Sequence, residues 1–292
     1  MRSIQSLLLL TVVLNALSAQ AAAPVLVGVL EQPQCRRDVK TSVRVLFSKQ
    51  EGQWVGLGSA KATRGIDISK LTWTVTADGR SLGLVRTTDP GFDNSYAWTY
   101  PRDRLLEISD GQSIPRIANI DKRFSGWCDE PSDRPLVVVS EPNFRDPNGW
   151  RQFRSAPIYR QILFELFKAN AGTALNCRSA EDSGEVFNYG IDDLTLHEAY
   201  QDHLGRKLIS VSLKQDLNKC DGPPDKAWWK HWFFVDKTTR YVGSELELVD
   251  VGDYDADGIS ELIFWHSGYN EDGYTMYYDE FRKRVDYYWN YH

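Results

Sequence analysis

Asp250-Val251-Gly252-Asp253-Tyr254-Asp255-Ala256-Asp257-Gly258-Ile259-Ser260-Glu261-Leu262-Ile263 is the stretch from which the rest of the chain is read. Asp253, Asp255 and Asp257 alternate, Gly258 follows, and Glu261 closes the series. Calcium is a hard cation that takes six to eight oxygens, with carboxylates as the usual protein source. Alternating Asp side chains converge only where the chain curls around such an ion. Gly258 falls where that curl needs a backbone conformation a β-carbon disfavours. Without a cation the same carboxylates repel one another.

The flanks decide which kind of loop this is. An EF-hand loop has twelve positions, ends in a bidentate Glu and lies between two helices. Counted from Asp253, the twelfth position is Phe264, which offers no ligand. Residues 245–251 and 259–265 are rich in β-branched, aromatic or alternating apolar residues and read as strands. The loop therefore closes at its ninth position, Glu261, inside a β-hairpin. Strand, Asp-x-Asp-x-Asp-Gly-x-x-Glu, strand resembles the calcium loop of FG-GAP repeats, the blades of the integrin α-subunit propeller. The resemblance implies a calcium ion held by the side chains of Asp253, Asp255, Asp257 and Glu261 and the backbone carbonyl of Ile259. It covers one repeat near the C-terminus, and the Asp-x-Asp-x-Asp-Gly pattern does not recur.

The chain has 292 residues, 42% hydrophobic and 12% aromatic, enough for a sizeable core. A net charge of −6 argues against a nucleic-acid or anionic-membrane partner, which needs a basic face. Residues 1–21 read as a signal peptide, with Arg2, an apolar run from Leu7 to Leu17, and a small-x-small cleavage site at Ala19-Gln20-Ala21 or Ala21-Ala22-Ala23. No other stretch approaches membrane-spanning length. The expectation is a secreted or periplasmic protein with no membrane span in the mature chain. Four cysteines in an oxidising compartment favour two disulfides; three connectivities exist, and Cys35–Cys128 with Cys177–Cys220 keeps the two halves separate.

The fold class expected is mainly β: antiparallel meanders, a propeller-like C-terminal blade, and one helix near 156–171. Three regions follow the signal peptide: a β-rich region over 22–150, the helix and its connection over 151–180, and a β-rich region over 181–292 with the acidic loop. Asp78-Gly79 marks a two-residue hairpin turn. Short strands are expected around Trp98 and Leu105. Ser155 is placed to cap the helix, Pro157 suits its first turn, and Gly172 ends it. Ile158, Ile162, Leu163, Leu166 and Phe167 form its apolar stripe. Residues 227–235 and 240–251 read as a hairpin, and Asp272-Gly273 as a further turn.

No nucleophile elbow, phosphate loop or His-Glu-x-x-His pattern occurs. The five His do not cluster in sequence, although His231 and His266 are free to meet across strands. Glu141, Glu181-Asp182 and Asp192-Asp193 are candidate paired carboxylates of the kind glycoside hydrolysis uses. Trp228, Trp229, Trp232, Tyr269, Tyr274, Tyr277, Tyr278, Tyr287 and Trp289 crowd one segment, with alternation placing Trp228 and Trp232 on one face and Trp229 on the other. Such residues fill a core or, where exposed, stack on sugars or anchor a protein; core is the main expectation here. The sequence thus reads as an exported calcium-binding scaffold for recognition or adhesion, with an unknown protein or glycan as partner. A hydrolase acting on glycans or envelope polymers is the alternative.

Overall fold

Alternating apolar residues in the first half close a ring of strands. The computed structural model describes residues 24–31, 41–57, 70–88, 105–115, 135–142, 144–214, 219–222, 224–268 and 271–290. The signal segment, Cys35, Cys128, the strand expected at Trp98, and Tyr269 lie outside them. Within them the chain forms β1 (Leu26–Glu31), β2 (Ser42–Gln50), β3 (Gln53–Gly56), β4 (Lys70–Ala77), β5 (Arg80–Thr88), β6 (Leu105–Ile108) and β7 (Leu136–Val139). β1 pairs with both β2 and β7, and the order β1-β7-β4-β5-β6-β2 returns to β1, so six antiparallel strands close into a barrel. β3 hairpins onto the outer part of β2. Period-two alternation then sorts the side chains. Leu30, Val43, Val45, Trp73, Val75, Val85, Leu106 and Val138 pack together inside. Val27, Val29, Phe47, Val137 and Val139 face outward and are equally buried.

What buries them is the C-terminal sheet. After β8 (Arg151–Gln152), α1 (Ile158–Ala171), β9 (Leu175–Asn176) and β10 (Glu185–Val186), the chain forms β11 (Leu194–Gln201), β12 (Lys207–Leu213), β13 (His231–Val235) and β14 (Thr239–Ser244). It ends in β15 (Leu246–Gly252), β16 (Glu261–Gly268), β17 (Glu271–Tyr278) and β18 (Lys283–Asn290). The last four make an antiparallel meander in sequence order, the strand plan of a propeller blade. One face, with Ile263, Trp265, Tyr274 and Met276, packs on the barrel. The other, with Leu262, Phe264 and Tyr277, packs on Trp232, Phe234 and Leu208 of the five-stranded sheet β14-β13-β12-β11-β8. α1 covers that sheet's far side with Leu163 and Phe167. A sheet covered on both faces needs apolar residues in succession rather than alternation. That accounts for Leu262-Ile263-Phe264-Trp265, every one of which is buried. At roughly 1.5–3 kcal/mol per large apolar side chain, burying these four contributes about 6–12 kcal/mol.

The mainly-β expectation holds, but several local readings are corrected. The seven-stranded sheet of the first half is a closed ring with a strand attached, where only antiparallel meanders were expected. Pro157, already helical at φ −54°, takes the N-cap position with no side-chain cap, so Ser155 does not cap α1; Gly172 ends it at φ 78° as expected. Ile158 and Ile162 are exposed, and the buried stripe is Leu163, Phe167 and Ala171. Residues 240–251 are not one strand: Glu245, at φ 62°, breaks the run and passes the chain from one sheet to the next. Residues 226–228 form a 3-10 turn, so Trp228 faces the helix side while Trp232 faces the C-terminal sheet. Asp272 and Gly273 lie within β17, where a β-carbon on Gly273 would come within 2.3 Å of the Tyr287 carbonyl oxygen. That glycine serves close approach, not a turn. Cys177 and Cys220 form a disulfide, as the preferred pairing has it.

Candidate metal centre

The acidic loop joins β15 to β16, which pair from Leu246↔His266 to Gly252↔Glu261. The hairpin read from the flanks is therefore present. The loop curls through Ala256 at φ 59° and Gly258 at φ 90°, and only the second has the residue type that conformation favours. Backbone N–H groups point inward. Asp253 accepts from Asp257 N at 3.0 Å and Gly258 N at 2.8 Å. Glu261 accepts from Tyr254 N at 2.9 Å, tying the end of the loop to its beginning.

Carboxylate oxygens of Asp253, Asp255 and Glu261 converge within 4.8 Å of one another. Asp257 stands outside this cluster, exposed, with its Oδ1 taking the Ile259 N–H at 2.8 Å. Ile259 is 37% exposed at the loop's outer edge. The structure thus gathers three of the five residues that the FG-GAP resemblance names. Hard oxygen donors, partly withdrawn from water, fit a calcium ion in chemistry.

Electrostatics press in the same direction. Burial, with Asp257 and Asp255 nearby, pushes Asp253 up to about 6 against the opposing Gly258 N–H bond. Burial, then the charge of Asp255, raises Glu261 well above the usual carboxylate range. Both groups pay for charge that a cation would neutralise. One cation is already at hand. Lys49, from β2, forms an ion pair with Asp255 Oδ2, and its ammonium lies over the Trp54 ring at 5.3 Å. Burial alone would lower this ammonium, but Asp255, Glu261 and Asp257 hold it above its ordinary value. Trp54 also reaches the loop, donating from Nε1 to Glu261 at 3.4 Å.

Pattern reading missed the loop's supports. Residues 144–150 cradle it. Ser260 Oγ accepts from Asn148 Nδ2 at 2.8 Å and Trp150 Nε1 at 3.1 Å, and donates to Asp146 at 3.0 Å. Phe144 stacks on Tyr254 with centroids 5.6 Å apart. Just before the loop, a bulge turns Asp250 toward the barrel, where it accepts from Asp78 N at 2.8 Å and Thr76 Oγ1 at 3.2 Å. Asn148-Gly149 carried a turn signal, but nothing local marked it as a partner of Ser260.

The other candidates separate. Asp182 and Asp193 serve local turns, accepting from Gly184 N and Gly190 N. His231 packs against Phe167 and Tyr241, whereas His266 lies against Tyr288. A cleft of about 610 Å³ is lined by residues of the five-stranded and C-terminal sheets. In it His197 Nε2 is 2.7 Å from Ser212 Oγ, and burial followed by the Lys230 charge lowers the imidazole, keeping it neutral at pH 7. Lys230 at its wall bridges Glu198 and Glu247. No helix among the described residues is long and apolar enough to cross a membrane. The chain matches no protein-family model, no curated protein and no solved structure with which it was compared.

Proposed function

We propose that this chain is an exported scaffold for recognition or adhesion, braced by calcium in an FG-GAP-type loop. The observation that carries the metal is the convergence of Asp253, Asp255 and Glu261 within 4.8 Å, two of them with raised proton affinity. Among the described residues the four loop carboxylates have one ion-pair partner, Lys49. Calcium would be held by Asp253, Asp255 and Glu261, with Asp257 and the Ile259 carbonyl completing the set that the resemblance names. Its contribution is to cross-brace a hairpin that contacts the barrel on one side and residues 144–150 on the other. The leader-like first 21 residues and the Cys177–Cys220 disulfide support export to an oxidising compartment.

Calorimetric calcium titration, paired with thermal unfolding in calcium and in chelator, tests this. Ligand at a hundred times its dissociation constant stabilises by about 2.7 kcal/mol. For a chain of this size that is a shift of about 5–10 °C. Affinity is expected around 10⁻⁴ to 10⁻³ M, as for extracellular modules. Asp255→Ala should abolish both the heat and the shift; an unchanged titration in that variant removes the loop from the site.

A hydrolase is the second reading, and the His197–Ser212 pair is what favours it: a neutral imidazole within reach of a hydroxyl is the pairing that activates a nucleophile. Against it, Ser212 is buried and also directs its hydroxyl to the Leu213 carbonyl. Glu198 and Glu247 are both committed to Lys230, whereas a general acid must hold a proton. Loss of hydrolysis of a chromogenic ester or glycoside in Ser212→Ala would move the assignment to this reading.

A further inference from the structure

Of the eight described tryptophans, seven are buried, and Trp229 alone is left half-exposed. It lines the cleft of about 610 Å³. Its ring does not swing: Nε1 donates to the Pro224 carbonyl at 3.0 Å, and its backbone N–H closes the 3-10 turn on Lys226. The fold therefore holds one flat apolar surface rigid and open to solvent at the mouth of a cleft. Clefts of about 300–1,000 Å³ with a few convergent polar groups are the usual form of small-ligand sites.

The rest of the lining selects the ligand. Lys214 and Lys230 face Glu245 and Glu247, so the formal charges cancel. An anion would meet the two carboxylates and a cation the two ammonium groups. Thr195 adds a hydroxyl that both donates and accepts, and Ser267, whose hydroxyl is bonded to Asp272, adds an acceptor. A ligand that presents an apolar face to an indole and many neutral hydroxyls at its edges fits all of these surroundings at once. We infer that this cleft binds a neutral saccharide, with one sugar ring stacked on Trp229 and its hydroxyls shared among Lys230, Glu247, Thr195 and Ser267. This names the partner class of the recognition scaffold and rests on that reading. The cleft's lining includes no residue of the acidic loop.

Calorimetry on the full protein tests it, using neutral trisaccharides of the glucan and chitin types and an acidic uronate trisaccharide, each in calcium and in chelator. Saturable binding of at least one neutral trisaccharide is expected, with Kd on the order of 0.1–1 mM. Trp229→Ala should weaken it at least tenfold while Trp229→Phe keeps most of it. Thr195→Trp, which puts a large ring into the cleft lining from β11, should abolish it. Each variant is compared only after its circular dichroism and unfolding midpoint match the parent. Absence of saturable binding of any neutral trisaccharide by about 10 mM, far weaker than the expected range, overturns the inference. So does unchanged affinity in both Trp229→Ala and Thr195→Trp, or a preference for the uronate. Calcium heat without sugar heat defeats the cleft and spares the loop; sugar heat without calcium heat does the reverse.

Discussion

Lys49→Met should tighten calcium binding while weakening the calcium-free protein. The ammonium of Lys49 is paired with Asp255, one of the three convergent carboxylates. A dipositive ion held about 4 Å from an ammonium at an effective dielectric of about 20 is repelled by about 8 kcal/mol. No calcium site tolerates that, so the ion enters only as Lys49 leaves. Leaving costs the ion pair, whose lysine side chain is 19% and aspartate 5% exposed. A hydrogen bond to a charged group contributes about 1.5–3 kcal/mol, with partial exposure favouring the lower end. At about 1.4 kcal/mol per tenfold, removing Lys49 should raise calcium affinity roughly tenfold to hundredfold. Met keeps the apolar stem and removes the ammonium, which lies 5.3 Å from the Trp54 ring centre and 6.0 Å from that of Tyr278. In chelator the variant should unfold some degrees below the parent, since the carboxylates then lack any cation; in saturating calcium the order should reverse or vanish. Calorimetric titration and thermal unfolding of the two proteins side by side measure both limbs. Equal calcium affinity in the two proteins would falsify the competition. A weaker affinity in Lys49→Met would show that the lysine helps to assemble the site.

Four further outcomes follow from other contacts. Asp250→Ala removes the acceptor of Asp78 N and one of two acceptors of Thr76 Oγ1, which keeps the Val137 carbonyl, and should cost about 1.5–3 kcal/mol in urea unfolding. Asn148→Ala leaves the loop carboxylates in place but removes a donor to Ser260; calcium affinity should fall severalfold in calorimetry while the far-ultraviolet spectrum stays unchanged. Reduction of Cys177–Cys220, 43 residues apart, should lower stability by up to about 4 kcal/mol on the loop-entropy estimate, read as a shift in unfolding midpoint with and without reductant. His231, lowered to about 4 by burial, is fully buried with its ring against Phe167. Its folded value lies below its unfolded value near 6.5, so the unfolded chain binds the extra proton. Stability from this group is complete above pH 6.5 and is lost as pH falls from 6.5 through 4, by about 3 kcal/mol at most. Replacing it by Gln, which can still donate toward the Lys226 carbonyl, should flatten that part of the stability–pH curve.

The hairpin and its acidic loop were legible because their signals are local. Asp spacing, Gly258 and the apolar flanks over 245–251 and 259–265 all fall within twenty-one residues. Failures came where a residue's role is set by something distant. Gly273 looks like half of a turn dipeptide, yet its missing β-carbon makes room for Tyr287 and Tyr288, fourteen or more positions along the chain. Glu245 breaks a strand at φ 62° with a residue type that gives no warning. Trp228 and Trp232 are separated onto opposite sides by a single 3-10 turn, which alternation cannot represent. Barrel closure depends on β2 pairing with β1 on one edge and β6 on the other, across more than sixty residues. Ile158 and Ile162 obey helical spacing and are nonetheless exposed, because spacing sets a common face and not what covers it.

The same distinction bears on why a metal would matter here at all. A loop that protrudes into solvent can bind calcium with no consequence beyond itself. This one joins the two strands from which Leu248, Val249, Leu262 and Ile263 enter the buried sheet, and it touches three separate parts of the chain. Lys49 and Trp54 reach it from β2 and β3, Asp250 ties its root to the β4–β5 turn, and Asn148 and Trp150 hold Ser260 from the segment before β8. Drawing Asp253, Asp255 and Glu261 onto one ion therefore fixes Trp54 against the C-terminal sheet through Glu261, and fixes residues 144–150 through Ser260. Coupling of this kind makes a specific demand: calcium must raise the unfolding midpoint of the whole protein, and Trp54→Phe, which keeps an aromatic ring beneath the Lys49 ammonium but loses the Nε1 donor to Glu261, must reduce that rise without removing calcium binding. If Trp54→Phe leaves the calcium-induced shift intact, the ion braces only its own loop, and the contacts that converge there are packing alone.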